Sequence, residues 1–372
     1  MYSQADNEFM QRALTLAARG LYTTTPNPRV GCVLVSHQSG TPTVIAEGWH
    51  EQAGSPHAEA HALQAAMVAG IDPRGATAYV TLEPCAHQGR TPPCADALIQ
   101  AGVARVIAAM ADPNPLVAGR GLARLRSAGM DVRCGLLAEA AHELNLGFIQ
   151  RMTTGKPWVR LKVASSLDGR IALENGESQW ITGQVARDDG HAWRARACAI
   201  LTGSGTVRAD NPQLNVRAVA TTRQPRKVVV DSHLTLNPDA RIFQSGNGII
   251  ATTRPADAHP DAIRLQARGV EIWQLPAADV AGYVDLPTLI QRLGEAGINE
   301  LHVEAGSHLN GRLLSANLVD ELLLYMAPSL LGPGKPAFVL PELQSLDDVT
   351  HFKLFQVETV GQDLRIQLRR RT

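Results

Sequence analysis

The feature that most restricts how this chain can fold is an alternation of short apolar runs with amphipathic stretches, sustained from one end to the other. Runs rich in Val, Ile and Leu read as strands, and the segments between them carry the three-to-four-residue spacing of helices. In the first half, helices are expected over 7–18, 58–68, 95–100, 122–128 and 137–151, and strands over 30–36, 44–49, 76–82, 103–110 and 130–134. The first two strands read as a hairpin about a polar turn containing Gly40. The second half repeats the alternation, with strands expected at 158–163, 199–201, 227–230, 248–251, 270–275, 301–303 and 322–326. The alternating stretch 364–368 suits an edge strand, and 217–226 reads as a surface loop. This order predicts an α/β architecture with helices over a largely parallel sheet, made mixed by the leading hairpin.

A chain of 372 residues exceeds one typical core. The joint falls at Thr153-Thr154-Gly155-Lys156-Pro157, giving two expected domains, 1–152 and 153–372. Lys+Arg and Asp+Glu both number 35, so no global basic field attracts nucleic acid. The polar N-terminus lacks a signal-peptide core, and no stretch has the apolar length of a membrane span. A soluble, cytoplasmic chain is therefore expected. The five cysteines are odd in number and scattered, a poor disulfide framework; Cys32, Cys134 and Cys198 read as small core residues.

The remaining two cysteines carry the chemistry. His57-Ala58-Glu59 is followed by Pro84-Cys85 and then Cys94. One imidazole and two thiolates suit Zn²⁺, and three protein ligands leave the fourth position open, which marks a catalytic site. Glu59, two residues from the histidine, is placed to move protons between water and substrate. The set follows the zinc-deaminase pattern of histidine, glutamate and Pro-Cys. Rival readings are weaker. A protease-type pair of His57 and His61 needs Glu at position 58, which is Ala. A structural zinc lacks an obvious fourth Cys or His. Unreactive buried cysteines beside a solvated Glu59 are the plain alternative.

Pro26-Asn27-Pro28-Arg29-Val30-Gly31, His57-Ala58-Glu59 and the run from Pro84 to Cys94 together resemble the deaminase half of the RibD family, the bifunctional deaminase/reductases of riboflavin biosynthesis. Eight residues separate Cys85 from Cys94, where other zinc deaminases have two; the longer spacing matches the riboflavin enzymes. Lys162-Val163-Ala164-Ser165-Ser166-Leu167-Asp168-Gly169-Arg170, Gly176-Glu177-Ser178-Gln179-Trp180-Ile181-Thr182, Thr206-Val207-Arg208-Ala209-Asp210-Asn211-Pro212 and Val303-Glu304-Ala305-Gly306 resemble the reductase half. The resemblance spans nearly the whole chain.

It implies a cytidine-deaminase-like three-layer α/β/α domain with a mixed sheet, then a dihydrofolate-reductase-like α/β domain. It implies Zn²⁺ and NADPH as cofactors, a phosphoribosylated pyrimidine as substrate, and a homo-oligomer, dimer or tetramer. By resemblance, His57, Cys85 and Cys94 are metal ligands and Glu59 is catalytic. Asn27, His50, His87, Arg90, Ser178, Arg194, Leu214, Arg217 and Glu304 match substrate-contacting positions. Ala164, Trp180, Thr206, Asp210, Gly306 and Ser307 match cofactor-contacting ones.

The residue types agree with these roles. The Asn27 amide offers donor and acceptor to a pyrimidine edge, although a turn between two prolines explains it too. His50 and Arg90 would supply cationic donors to a phosphate, with His87 against the ring. No GxGxxG follows a first strand of the second half, so a Rossmann site is not expected. The turns at Gly203-Ser204-Gly205 and Gly306-Ser307 follow strands, and the second opens a helix suited to a pyrophosphate. Arg194 and Arg217 could clamp the sugar phosphate. Lys162 also matches a site position. Trp180 reads either as a cofactor flank or as a core residue, and Asp168 as a turn former. Competing functions are a nucleoside or tRNA deaminase, disfavoured for tRNA by neutral charge and the long Cys–Cys loop, and a zinc-stabilised scaffold, disfavoured by an intact Glu59.

Overall fold

The computed structural model describes residues 2–38, 40–86, 92–115, 117–257 and 259–371. The chain divides into two compact units, Met1–Gly155 and Lys156–Thr372.

In the first unit, α1 (Gln4–Ala18) starts from a reciprocal cap: the Asp6 N–H donates to Ser3 Oγ, and the Ser3 N–H donates to the Asp6 carboxylate. This cap starts the helix earlier than its apolar pattern indicates. There follow β1 (Gly31–Ser36), β2 (Thr43–Trp49), α2 (Ala58–Val68), β3 (Thr77–Val80), α3 (Cys94–Gln100), β4 (Arg105–Ala108), α4 (Arg120–Ser127) and β5 (Asp131–Cys134). The sheet order is β2-β1-β3-β4-β5, antiparallel on both sides of β1 and parallel beyond it. Successive side chains of β1 point to opposite faces. Cys32 and Leu34 pack with α2, α3 and α4, while Val33 and Val35 pack with α1. Three layers result.

The single helix expected over 137–151 is two, α5 (Ala138–Leu144) and α6 (Leu146–Thr154). The break is at Asn145, whose buried amide accepts from Arg29 N (2.8 Å) and donates to Arg29 O (3.0 Å). An asparagine that satisfies a distant loop's backbone interrupts the helical ladder. Apolar periodicity runs through the break and conceals it.

The second unit comprises β6 (Trp158–Ser166), β7 (Arg170–Leu173), α7 (Gln184–Arg196), β8 (Ala199–Gly203), α8 (Ser204–Asp210), β9 (Arg226–Val230), β10 (Gly248–Thr252), α9 (Pro260–Ala267), β11 (Glu271–Gln274), α10 (Leu286–Glu295), β12 (Glu300–Val303), α11 (Ser307–Ser315), β13 (Glu321–Ala327), β14 (Gly334–Pro336), β15 (Phe352–Val360) and β16 (Asp363–Arg370). Its nine-stranded sheet has the order β11-β10-β9-β8-β12-β6-β13-β16-β15. Strands β11 to β13 run parallel, and β16 and β15 close the sheet antiparallel. The stretch 364–368, expected at an edge, lies in β16 and is interior, because β15 pairs outside it. Strand β15 is exposed on both faces, so it lacks the one-sided burial that marks a strand in sequence.

One face of β6 and β12 is apolar, with Val159, Leu161, Leu301 and Val303 in the main core. The opposite face is charged. Buried Arg160 donates to Glu321 (2.7 Å) and Glu300 (3.1 Å), and Arg196 of α7 also reaches Glu300 (2.7 Å). Burial pushes the Glu321 carboxyl up, but the Arg160 guanidinium outweighs it and holds the carboxyl below its ordinary value. The folded state therefore binds fewer protons than the unfolded one. The stabilisation is present above the unfolded value and is lost as pH falls through the folded one. Arg160→Met is expected to destabilise this unit by about 3–5 kcal/mol, leaving buried carboxylates uncompensated. The check is its thermal midpoint, with wild type falling more than the variant between about pH 5 and about pH 3.

Candidate functional site

In the first unit the site is assembled from loop and helix starts. His57 is the N-cap residue of α2, with its backbone extended (φ −71°, ψ 165°) and its ring free of capping duty. Cys94 is the first residue of α3. Its N–H donates to Cys85 Sγ (3.3 Å), and the Ala95 N–H donates to Cys85 O (3.1 Å), which pins the two cysteines together. His57 Nδ1 lies 3.7 Å from Cys85 Sγ and 3.4 Å from Cys94 Sγ, with all three donor atoms within 4.8 Å of one another.

These separations fit zinc. Bonds of about 2.0–2.1 Å to nitrogen and about 2.3 Å to sulfur in a tetrahedron place N and S about 3.6 Å apart. Of the two thiols, Cys85 gives up its proton the more readily, because it accepts hydrogen bonds from the Cys94 and His57 side chains and from the Cys94 N–H. Glu59, in the first turn of α2, is 3% exposed. Burial pushes its carboxyl up to about 7, aided by the charge at Cys85 and opposed by its own backbone N–H and by His57.

Asn27 and His50 meet beside this cluster. The His50 ring stands edge-on to His57, 5.5 Å between centroids. Its Nδ1 faces Pro56 O at 3.0 Å and must donate there, so Nε2 accepts from Asn27 Nδ2 (3.0 Å). The amide is thereby oriented with Oδ1 turned away from the histidine. Burial lowers the His50 pKa. A buried, neutral imidazole with both nitrogens engaged is not the cationic phosphate donor expected from the sequence. His87 and Arg90 lie outside the described residues.

In the second unit, every substrate or cofactor position named there from the sequence lines one cleft of about 1390 Å³: Ala164, Ser178, Trp180, Arg194, Thr206, Asp210, Leu214, Arg217, Glu304, Gly306 and Ser307. Glu304 follows β12 and forms a two-pronged ion pair with Arg194 of α7, whose Nη2–Oε2 distance is 2.8 Å. Burial pushes the Glu304 carboxyl up, but Arg194 outweighs it and holds it well below its ordinary value. Arg194 thus enters the cleft already paired. Arg217 is exposed and, among the described residues, pairs with no carboxylate; its Nη1 donates to Asn215 Oδ1 (3.3 Å). Lys162 Nζ lies over the Tyr325 ring at 5.7 Å, its pKa lowered by burial. Trp180 is 64% exposed at the cleft, which removes the core reading. Leu214 is buried at φ 44°, a left-handed conformation that costs a side-chain-bearing residue energy and tends to occur at functional sites. Asp168 accepts from Ser166 Oγ (2.5 Å), Leu331 N (3.1 Å) and Gly332 N (2.8 Å), so it shapes a turn.

The model of the RibD C-terminal domain matches residues 157–366, and that of the cytidine and deoxycytidylate deaminase zinc-binding region matches 3–110. Riboflavin biosynthesis protein RibD of Escherichia coli (strain K12) is 47% identical over 98% of this chain and 99% of its own. The chain belongs to the RibD family. Among solved structures, Acinetobacter baumannii RibD superposes with a TM-score of 0.88 at 42% identity, covering 99% of each chain. A diaminohydroxyphosphoribosylaminopyrimidine deaminase/5-amino-6-(5-phosphoribosylamino)uracil reductase from Thermotoga maritima gives 0.86 at 35% identity, covering 98% of this chain and 99% of the other. Like its RibD relatives, the chain joins a zinc-binding deaminase domain to a reductase domain and is a bifunctional enzyme.

Sequence reasoning missed the residue that anchors the RibD cysteine turn. Buried Glu83, beside Pro84-Cys85, accepts from Asp112 N (3.0 Å), Gly119 N (2.9 Å), Gly121 N (2.8 Å) and Leu122 N (3.2 Å). It ties the ligand turn to the start of α4. Gly121 is required there, since a Cβ would sit 1.9 Å from Pro84 O. The only signal in the sequence was adjacency to the Pro-Cys pair; the partners are backbone groups that no motif records.

Proposed function

We propose that the first unit deaminates 2,5-diamino-6-(5-phosphoribosylamino)pyrimidin-4-one to 5-amino-6-(5-phosphoribosylamino)uracil. The second then reduces the ribosyl side chain with NADPH, giving 5-amino-6-(5-phosphoribitylamino)uracil. The observation that carries this reading is the convergence of His57, Cys85 and Cys94 beside buried Glu59, in a chain whose other unit offers a cleft of dinucleotide size.

His57 Nδ1, Cys85 Sγ and Cys94 Sγ would hold the zinc. Bound there, zinc supplies the Lewis acidity that makes water nucleophilic near neutral pH. Glu59 takes up the proton that water gives up and returns it to the departing amino group, so that one water enters and one ammonia leaves. Asn27, its amide fixed by His50, presents Oδ1 to the donor edge of the pyrimidine. His87 and Arg90 keep the substrate-contacting roles that the resemblance implies.

In the second unit, Gly306 and Ser307 present the start of α11 to the pyrophosphate, with Ala164, Trp180, Thr206 and Asp210 along the rest of the dinucleotide. NADPH supplies hydride when bound; the side chains hold the sugar in line. Glu304, braced by Arg194, faces the reacting sugar with Lys162, Ser178 and Leu214, and Arg217 takes the phosphate. The enzyme works in the cytoplasm, where its five unpaired thiols persist. It assembles as a homo-oligomer, dimer or tetramer, through β15, whose exposed Leu354, Phe355 and Val357 mark an uncovered sheet edge. No helix among the described residues is long and apolar enough to cross a membrane.

The test is a paired assay on the purified chain with the diaminopyrimidinone ribotide and NADPH, following ammonia and nicotinamide absorbance together. Both signals are expected, and ammonia should also appear without NADPH. Ammonia without nicotinamide loss would leave the second unit without its assigned activity. Neither signal from zinc-loaded protein would overturn both assignments.

A further inference from the structure

The cleft of the second unit has a basic end beyond the positions assigned above. There α8 and residues 231–241 close on each other through Arg208, whose Nη1 donates to Thr235 Oγ1 (2.9 Å) and Nη2 to Ser204 Oγ (3.3 Å). A second tie sits just past α8, where Arg241 N donates to Asn211 Oδ1 (2.9 Å). Thr235 is itself fixed, its N–H and hydroxyl donating to buried Asp231 (2.8 and 3.1 Å). Asp231 also takes the Leu236 N–H (2.9 Å), so its charge is spent on the turn. Among the described residues, no carboxylate pairs with Arg208. His233 of the same turn lines the cleft with Nδ1 lacking a partner. The cleft wall therefore carries a guanidinium bridged between two hydroxyls, with no carboxylate in an ion pair with it among the described residues.

We propose that Arg208 binds the 2′-phosphate of the nicotinamide dinucleotide and sets the preference for its phosphorylated form. This rests on reading the cleft as the dinucleotide site. With the pyrophosphate against Gly306 and Ser307, the adenosine ribose is assigned to the wall of the same cleft that Arg208 forms with Ser204 and Thr235. A phosphate monoester suits a fixed planar cation with a hydroxyl donor beside it: Ser204 supplies the donor, and Thr235, whose own proton goes to Asp231, holds the guanidinium in place. A dinucleotide with a free 2′-hydroxyl presents no charge for the guanidinium to meet, so the residue discriminates rather than binding both alike.

The experiment is equilibrium titration of the full-length chain with NADPH, NADH and 2′,5′-ADP. Wild type is expected to bind NADPH more tightly than NADH. Arg208→Ala, on an exposed helix position, is expected to weaken NADPH and 2′,5′-ADP by about 10- to 100-fold and to leave NADH within about twofold. Arg208→Lys should restore part of the loss. If Arg208→Ala keeps the wild-type NADPH-to-NADH ratio, or if Arg241→Ala shifts that ratio in its place, the inference is overturned while the cofactor site stands. Wild-type protein that binds neither dinucleotide overturns the cofactor reading itself.

Discussion

Glu59→Gln is expected to abolish ammonia release, by at least about 10²–10⁴-fold, while bound zinc stays at the wild-type level. Glutamine keeps the size and most of the packing of the side chain at a position that is 3% exposed, so the turn of α2 that carries His57 is not disturbed. What it removes is the group that accepts a proton. None of the three atoms proposed to bind zinc changes, because His57 Nδ1, Cys85 Sγ and Cys94 Sγ are held by the N-cap of α2, by the Cys94 and Ala95 N–H groups and by the Glu83 anchor. Nicotinamide oxidation with the deaminated ribotide should continue at the wild-type rate, because that chemistry belongs to the other unit. Metal analysis, an ammonia assay and an absorbance assay on the same preparation check all three points. Ammonia release near the wild-type rate from zinc-loaded variant would show that another group moves the proton. Loss of zinc along with activity would make Glu59 a support for the metal ligands.

The convergence of His57, Cys85 and Cys94 was legible in the sequence because it is carried by rare residue types at local positions. His57 and Glu59 sit two apart on one helix start, and Cys85 and Cys94 flank one loop. The α/β class was legible for a similar reason: strands such as β8, β9 and β10 are buried and read as continuous aliphatic runs. What escaped depends on partners far away in the chain. Asn145 breaks a helix to bond Arg29, 116 positions distant. Glu83 collects backbone N–H groups from the 112–122 region. Helix α7 is mostly polar because its Arg194 and Arg196 pair with Glu304 and Glu300, and its apolar contacts are reduced to a small cluster at Ala186 and Trp193, too few to show an apolar stripe. His50 was given a charge from its residue type alone; the structure buries it and commits both nitrogens, and the charge goes. Arg194 was grouped with Arg217 as a clamp for the sugar phosphate, and only the structure shows that Glu304 already holds it.

That pairing sets the second large expectation. Glu304→Gln is expected to lower the kcat/KM of NADPH oxidation by at least about 100-fold while ammonia release is unchanged. The substitution removes one charge from a cluster that contains Arg194, with Lys162 nearby. Arg194 is only 17% exposed, so the guanidinium left without its carboxylate cannot recover its hydration and must move toward water. Its Nη1 bond to Asn215 O (3.3 Å) would loosen with it, and Asn215 is the neighbour of Leu214, whose left-handed backbone depends on being held. The substrate side of the cleft therefore loses both a carboxylate and the geometry beside it. The proposed cofactor side, at Gly306, Ser307 and Arg208, shares no hydrogen bond or ion pair with Glu304 and Arg194 among the described residues, so NADPH affinity measured by titration should stay within about threefold. Loss of turnover with NADPH binding kept assigns Glu304 to the sugar. Wild-type turnover in the variant would reduce the Glu304–Arg194 pair to a structural tie between β12 and α7, and equal loss of turnover and NADPH binding would move it to the cofactor.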